Sequence, residues 1–101
     1  MSYRRDEIIA RLAAHRGKLA EGFGVRSLAV FGSAARDELS PGSDVDILVD
    51  FRPEARVGLF ELVALREHLE GLLGRSVDVV TADGLRVWMR ERVLREAVRV
   101  V

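Results

Sequence analysis

Two short β-strands separated by a small helix and a turn are predicted by the segment Val25-Arg-Ser-Leu-Ala-Val-Phe-Gly-Ser-Ala-Ala-Arg-Asp-Glu-Leu-Ser-Pro-Gly-Ser-Asp-Val-Asp-Ile-Leu-Val-Asp-Phe51. Residues 25–31 and 44–51 are rich in the β-branched and other apolar side chains that favour strands. Residues 34–39 favour a short helix with Ser33 at or near its N-cap, and residues 40–43 have the composition of a turn.

Helices and one further strand are predicted on either side of this segment. Apolar side chains recur at helical spacing before it and again after it, where leucines form one stripe. Asp83 is expected to cap the last helix. The expected elements are a helix at 3–20, a strand at 25–31, a helix at 34–39, a strand at 44–51, a helix at 58–73, a strand at 76–81, a helix to about 97 and a short edge strand at 98–101.

This order predicts an α/β (α+β) fold with a small mixed β-sheet of three to four strands flanked by helices. The 101 residues, 11.2 kDa, fit one domain over 1–101. Sixteen basic and sixteen acidic residues give no net charge, which argues against binding of nucleic acid through the overall charge of the protein. The absence of cysteine excludes disulfides, cysteine nucleophiles and Cys-ligated zinc. With no membrane-spanning or signal segment predicted, a cytoplasmic protein is expected.

Two acids stand side by side on the second predicted strand. Strand side chains alternate between faces, so Asp44 and Asp46 share one face while Val45, Ile47 and Val49 share the other. Two like charges at this distance repel unless a cation lies between them. Oxygen ligands of this kind suit a hard divalent cation such as Mg²⁺.

A third acid, Asp78, interrupts the apolar strand 76–81. If this strand pairs beside the strand carrying Asp44 and Asp46, three carboxylates converge. Three acids around two metal ions form the arrangement used for in-line phosphoryl or nucleotidyl transfer.

Gly32 and Ser33 join a strand to a short helix, one loop before the acids. Glycine lets backbone approach a phosphate closely, and the serine hydroxyl adds a donor. The guanidinium of Arg36 lies one turn later and is able to reach a phosphate oxygen.

Each of these residues also has a simpler interpretation. Asp44 and Asp46 suit a capped turn and a solvated strand face, and Asp78 suits an exposed strand position. Arg36 suits a surface ion pair with one of the acids at 37–38.

Other polar and aromatic residues are interpreted without a role in chemistry. Asp50 is expected at a solvated strand end, and the charged residues of 86–99 are expected to form a solvated or partner-docking helix face. Trp88 and Phe60 are expected in the core or against a partner rather than as stacking platforms for bases.

The segment 32–36 followed by Ser-Asp-Val-Asp-Ile-Leu-Val at 43–49 resembles the signature of the DNA polymerase β-like nucleotidyltransferases. The compact length, the motif spacing and the segment 85–100 are similar to the minimal nucleotidyltransferase (MNT) proteins of that superfamily. The resemblance covers roughly residues 25–100. Many members have Gly after the Ala-Arg, where this chain has Asp37.

The resemblance implies a site assembled from these same residues. Gly32 and Ser33 would hold the phosphates of ATP, the substrate, with Arg36 and Ser43 also assigned to nucleotide binding. Asp44 and Asp46 would bind Mg²⁺, with two ions expected.

The resemblance also implies that Asp78 completes this catalytic metal site and helps to activate the acceptor hydroxyl. Members of the MNT group usually act as antitoxins that transfer AMP to a tyrosine of a small all-helical HEPN ribonuclease toxin.

An alternative function is a non-catalytic antitoxin that neutralises a partner by masking its surface, with the acids as remnants. Direct RNA binding is disfavoured because basic and aromatic residues are not interleaved. The sequence leaves the oligomeric state open, a homo-oligomer included.

Overall fold

The computed structural model describes residues 4–100, in which helices and strands alternate. Positions 3 and 101, at the outer ends of two predicted elements, lie outside the described residues. The elements are α1 (Arg5–Ala14), α2 (Arg16–Phe23), β1 (Val25–Phe31), α3 (Gly32–Ala35), β2 (Val45–Phe51), α4 (Leu59–Leu73), β3 (Val77–Thr81), a 3-10 turn (Ala82–Gly84), α5 (Val87–Glu96) and β4 (Val98–Arg99).

The strands form one mixed sheet in the order β3-β2-β1-β4. β1 runs antiparallel to both β2 and β4, whereas β2 and β3 are parallel. The parallel pair is connected through α4, as a parallel connection requires. The predicted class, a small mixed sheet flanked by helices, is confirmed, and the C-terminal segment does form an edge strand.

The single N-terminal helix predicted over 3–20 is in fact two helices that meet at His15. The His15 N–H donates to the carbonyl of Leu12 rather than to that of Arg11. The His15 ring nitrogen lies 3.0 Å from the Arg11 oxygen instead. Because the side chain takes the acceptor that the helix would use, the first helix ends there.

The short central helix begins two residues earlier than predicted. α3 covers Gly32–Ala35, its N-cap position is Phe31 and no side chain caps it, so the prediction of Ser33 as N-cap is wrong. The reason is the left-handed conformation of Gly32 (φ 67°), which turns the chain directly from β1 into the helix.

The predicted N-cap of the last helix is also wrong. Asp83 lies in the 3-10 turn, where the Gly84 N–H donates to the Thr81 hydroxyl at 3.1 Å. α5 starts only at Val87. The threonine closes its own turn, so Asp83 is three residues too early to cap α5.

The two faces of the sheet are covered unequally. One face packs against α1, α2 and α4 and holds the main core, whose fully buried members are Leu12, Leu19, Val25, Leu28, Val30, Val45, Ile47, Val49, Leu65 and Leu69. The other face has a small cluster of Phe31, Leu48 and Val93 under α5. Strand alternation places Asp46 on this second, partly covered face beside Leu48.

None of the helices within residues 4–100 is both long enough and apolar enough to cross a membrane.

Truncation of Leu65, which is fully buried in α4, is expected to lower the free energy of unfolding by about 2–5 kcal/mol because it leaves a cavity. The matched control is Leu59→Ala in the same helix, where the side chain is 74% exposed, and it is expected to change stability by less than about 0.5 kcal/mol. Urea denaturation of both variants checks this, and equal losses would contradict the assignment of the core.

Candidate active site

Asp46 and Asp78 are neighbours across the parallel pair of strands. Their Cα atoms are register partners between β2 and β3, so both side chains leave the same face of the sheet. Adjacent strands lie about 4.8 Å apart, which brings the two carboxylates into one neighbourhood. The predicted pairing of these strands is confirmed.

Asp44 lies one residue before β2, at an exposed position. The predicted strand therefore starts one residue later, at Val45. Asp44 is nevertheless close enough for its charge to act on Asp46. The three predicted acids thus belong to one electrostatic neighbourhood, although only two of them lie within strands.

Burial is the largest cause that raises the pKa of the Asp46 carboxyl above its ordinary value. The charges of Asp78 and then Asp44 raise it further, while Arg36 lowers it and Glu96 adds a smaller increase. A carboxylate surrounded by more negative than positive charge is stabilised by a cation. The negative potential at this place is therefore suited to a positive ligand.

The chemistry of these donors fits Mg²⁺, which prefers carboxylate and phosphate oxygens. Within residues 4–100, however, no three acidic or histidine side chains stand close enough together to hold a metal ion by themselves. Mg²⁺ sites of this kind use only one or two carboxylates and complete the shell with water and substrate phosphates. The acids therefore fit a metal that arrives with a phosphorylated substrate.

Gly32 lies directly against the Asp46 carboxylate. A Cβ at position 32 would stand 2.2 Å from Oδ2 of Asp46, far inside van der Waals contact. The same residue has a positive φ of 67°, which side chains rarely tolerate. Both the space and the backbone conformation therefore require glycine here.

A cleft of about 360 Å³ brings together most of the predicted nucleotide-binding residues. It contains Gly32, Ser33, Arg36 and Asp46 on one side, and α5 forms its other wall. A larger cavity, about 640 Å³, lies at the opposite end of β2 and contains none of the predicted site residues. We therefore place the site in the smaller cleft.

Ser43 does not lie in this cleft. Its hydroxyl contacts the Ser40 hydroxyl at 2.7 Å within the turn, and its carbonyl accepts from Arg75 at 2.6 Å. It lines a separate depression with Asp44. The structure therefore does not bring Ser43 together with Gly32 and Ser33, since its polar groups serve the turn.

Arg36 forms the surface ion pair that was one of its two expected roles, and its position in the cleft leaves contact with a phosphate as a prediction. It lines the cleft, and its guanidinium contacts Glu38 at 3.5 Å and Glu96 at 2.9 Å. Asp37, the other candidate partner, accepts instead from the Arg5 backbone N–H at 2.9 Å.

Asp37 has the only positive φ among the described non-glycine residues, 59°. This is the conformation in which glycine is most favourable and in which Asp is tolerated. The departure from the glycine of many MNT proteins is thus accommodated without a change of backbone, and its carboxylate holds the start of α1.

Glu96 is a site residue that the sequence analysis missed. Its Oε1 accepts from the Gly32 N–H at 2.7 Å and from Arg36 at 2.9 Å. The expected solvated helix face is therefore wrong for Glu96, which is only 21% exposed. The only sequence feature that pointed to Glu96 was its spacing, because residues 88, 92 and 96 share one face of a helix. What that face contacts is visible only from the packing of α5.

Neither aromatic residue lies in the core, one of the two places expected for them; contact with a partner stays a prediction. Trp88 is 73% exposed and lines the cleft, and Phe60 is 86% exposed at the start of α4. Asp50, expected to be solvated, is a half-buried partner of Arg26, whose Nε donates to it at 3.0 Å.

A methyl group at position 32 is expected to lower the free energy of unfolding by about 1–3 kcal/mol, because Gly32→Ala strains the backbone and displaces Asp46. The control is Gly71→Ala, where nothing lies within 4 Å and alanine favours the helix, so stability is expected to stay equal or rise. Thermal or urea unfolding measures the free energy of unfolding of both variants. A Gly32→Ala protein as stable as wild type would refute the close contact between position 32 and Asp46.

Asp46→Asn is expected to raise the free energy of unfolding at pH 7, because the raised pKa of Asp46 means that its ionised form is disfavoured in the folded state. The direction of the pH dependence follows from the number of protons bound by the folded and unfolded states. Between the unfolded pKa, about 3.9, and the higher folded value, the folded state binds more protons, so wild-type stability falls as pH rises.

The gain from Asp46→Asn should therefore shrink as the pH is lowered toward about 4. Urea denaturation at several pH values measures it. Asp50→Asn is the control and is expected to give no gain, because Asp50 has Arg26 as a cationic partner. A destabilised Asp46→Asn protein at pH 7 would contradict the electrostatic account.

Comparison with known proteins agrees with this geometry. Residues 12–101 match the model of the family described as nucleotidyltransferase domain. The chain is 47% identical to the protein adenylyltransferase MntA of Thermococcus cleftensis over 95 residues, 94% of each chain. It is 40% identical, with a TM-score of 0.79, to a solved structure named for the minimal nucleotidyltransferases, covering 94% of both.

A crystal structure of a toxin–antitoxin with AMP-PNP shares the fold, with a TM-score of 0.70 and 19% identity over 88% of this chain and 72% of that chain. The family model matches most of the chain, and the MntA relative is 47% identical over 94% of it, so together they show the family of this chain. This chain belongs to the nucleotidyltransferase domain family and is an enzyme of its minimal nucleotidyltransferase group.

Proposed function

We propose that this chain uses Mg²⁺ to transfer AMP from ATP to a tyrosine hydroxyl of a HEPN-type toxin and thereby acts as its antitoxin. The observation that carries the proposal is the contact between the Gly32 backbone and the Asp46 carboxylate, with Asp78 in register beside it. That contact supports the proposal because it brings the backbone proposed to bind phosphate next to an acid proposed to bind the metal.

The triphosphate is proposed to lie over Gly32 and Ser33, where the backbone N–H and the hydroxyl donate to phosphate oxygens. Arg36, in the same cleft, adds a charged donor. Glu96 now accepts from both Gly32 and Arg36. Phosphate oxygens must therefore compete with Glu96 for the same donors.

Asp44, Asp46 and Asp78 are the residues proposed to hold Mg²⁺. When bound, the ions would neutralise charge on the phosphates and favour the ionised acceptor hydroxyl. The acceptor hydroxyl would give its proton to the Asp78 carboxylate, and its oxygen would attack the α-phosphorus. The bond from that phosphorus to the oxygen bridging to the β-phosphate would break, and pyrophosphate would leave with the bonding electron pair. The protein contributes orientation and a fixed electrostatic environment rather than a covalent intermediate.

A protein acceptor is favoured by the open form of the site. The cleft is small and the acids lie on a sheet face that α5 covers only in part, so a partner surface is able to supply the missing wall. The MntA relative is named a protein adenylyltransferase, and the AMP-PNP structure is of a toxin–antitoxin.

The direct test is to incubate the purified chain with Mg²⁺, α-labelled ATP and the HEPN-type protein encoded beside it. The expected result is a mass gain of one AMP on a tyrosine of that protein. The double variant Asp44→Ala with Asp46→Ala is expected to lower the rate of AMP transfer by about 100-fold or more, because it lacks two of the acids proposed to bind the metal. Its circular dichroism spectrum is expected to match that of wild type.

The matched control is Asp83→Ala, an exposed acid in the 3-10 turn after β3, which should leave transfer unchanged. A complex that neutralises the toxin equally well with and without Asp44 and Asp46, and with no AMP transferred, would contradict the enzymatic function. It would indicate an antitoxin that acts by masking its partner.

A further inference from the structure

Three residues on one face of α5 line the cleft or contact a residue that lines it. Trp88 and Arg92 line the cleft, and Glu96 accepts from the Gly32 N–H at its inner end. They are spaced four residues apart, so they lie above one another on the helix. The eight residues from Trp88 to Glu96 correspond to a helix rise of about 12 Å. This rise is similar to the distance between the phosphates and the base of an extended nucleotide.

Trp88 is not used for packing the protein. It is 73% exposed, whereas its helix neighbours Met89 and Val93 pack against the small cluster with Phe31. Tryptophan usually buries a large area, so an exposed indole on the wall of a cleft offers a flat aromatic surface to a ligand.

We propose that Trp88 is the residue on which the nucleobase of the bound nucleotide stacks. The inference rests on the proposed function, in which the phosphates bind at Gly32 and Ser33. Arg92 lines the same cleft, one helical turn from Trp88, where its charge would lie near the sugar and phosphates of the bound nucleotide. Because every base has a face on which it can stack, the ligand class is a nucleoside triphosphate, of which the ATP of the proposed function is one example.

Position in the cleft distinguishes Trp88 from the other exposed apolar side chains. Leu59 and Phe60 are exposed at the start of α4, but neither lines the cleft that holds Gly32, Ser33 and Asp46. A general partner-docking patch would not require the indole to share a cleft with the phosphate-binding residues. Phe60 therefore serves as the matched control.

The test compares two ligands in the presence of Mg²⁺: AMP-PNP, which has a base, and inorganic tripolyphosphate, which has none. Calorimetry measures the affinity of wild type, Trp88→Ala, Trp88→Phe and Phe60→Ala. We expect Trp88→Ala to weaken AMP-PNP binding by about 5- to 100-fold and tripolyphosphate binding by less than about twofold. Trp88→Phe should recover most of the loss, and Phe60→Ala should match wild type for both ligands.

Fluorescence gives an independent readout, because Trp88 is the only tryptophan of the chain. AMP-PNP is expected to quench its emission, and tripolyphosphate is not.

The proposal is overturned if Trp88→Ala binds AMP-PNP as tightly as wild type, or if both ligands weaken equally, which would indicate a structural role. It is also overturned if Trp88→Ala loses only the toxin complex. A wild-type chain that binds neither ligand would refute the proposed function itself, whereas one that binds both with equal affinity would refute only the stacking.

Discussion

The Asp46 carboxylate lies against backbone that has room for no side chain, and the arrangement of the site depends on that contact. Gly32 meets the steric requirement, and its positive φ turns the chain from β1 into α3. The antiparallel register of β1 with β2 pairs Phe31 with Asp46, which brings the turn to the acid. The parallel register of β2 with β3 then adds Asp78 beside it. One glycine and two strand registers thus bring together the proposed phosphate donors and the acids proposed to bind a cation.

The charges that act on Asp46 are predominantly negative. Burial and the neighbouring acids raise the pKa of Asp46, which is the mark of negative charge without sufficient compensation. Arg36 offsets part of this charge, but Glu96 shares the same guanidinium. Under the proposed function, phosphate takes the donors that Glu96 now uses, and the metal offsets the acids. The Glu96 carboxylate accepts from both the Gly32 N–H and Arg36, and so joins α5 to the start of α3.

Local patterns in the sequence predicted the features that depend on local chemistry. The strand at 25–31 was predicted to its last residue, and alternation placed Asp46 and Asp78 on their common face. The start of α3, the end of α1 at His15 and the role of Ser43 were missed, because each depends on a backbone conformation or side-chain bond within a turn. Glu96 and Trp88 were missed for another reason. The sequence of α5 has an ordinary amphipathic pattern, in which these residues belong to the polar face. Only the packing of α5 over β1 and β2 shows that this face meets Gly32 and the cleft.

Counting bound Mn²⁺ by electron paramagnetic resonance, with and without AMP-PNP, tests directly whether Asp44, Asp46 and Asp78 form a metal site that nucleotide phosphates complete. We expect weak binding to the chain alone, because within residues 4–100 no three acids stand close enough together to hold a metal ion, and two tightly bound ions once AMP-PNP is added. We also expect Asp46→Asn to remove this gain in affinity. Mn²⁺ binding that AMP-PNP does not tighten, or a gain that survives in Asp46→Asn, would show that these acids and the phosphates do not share a metal.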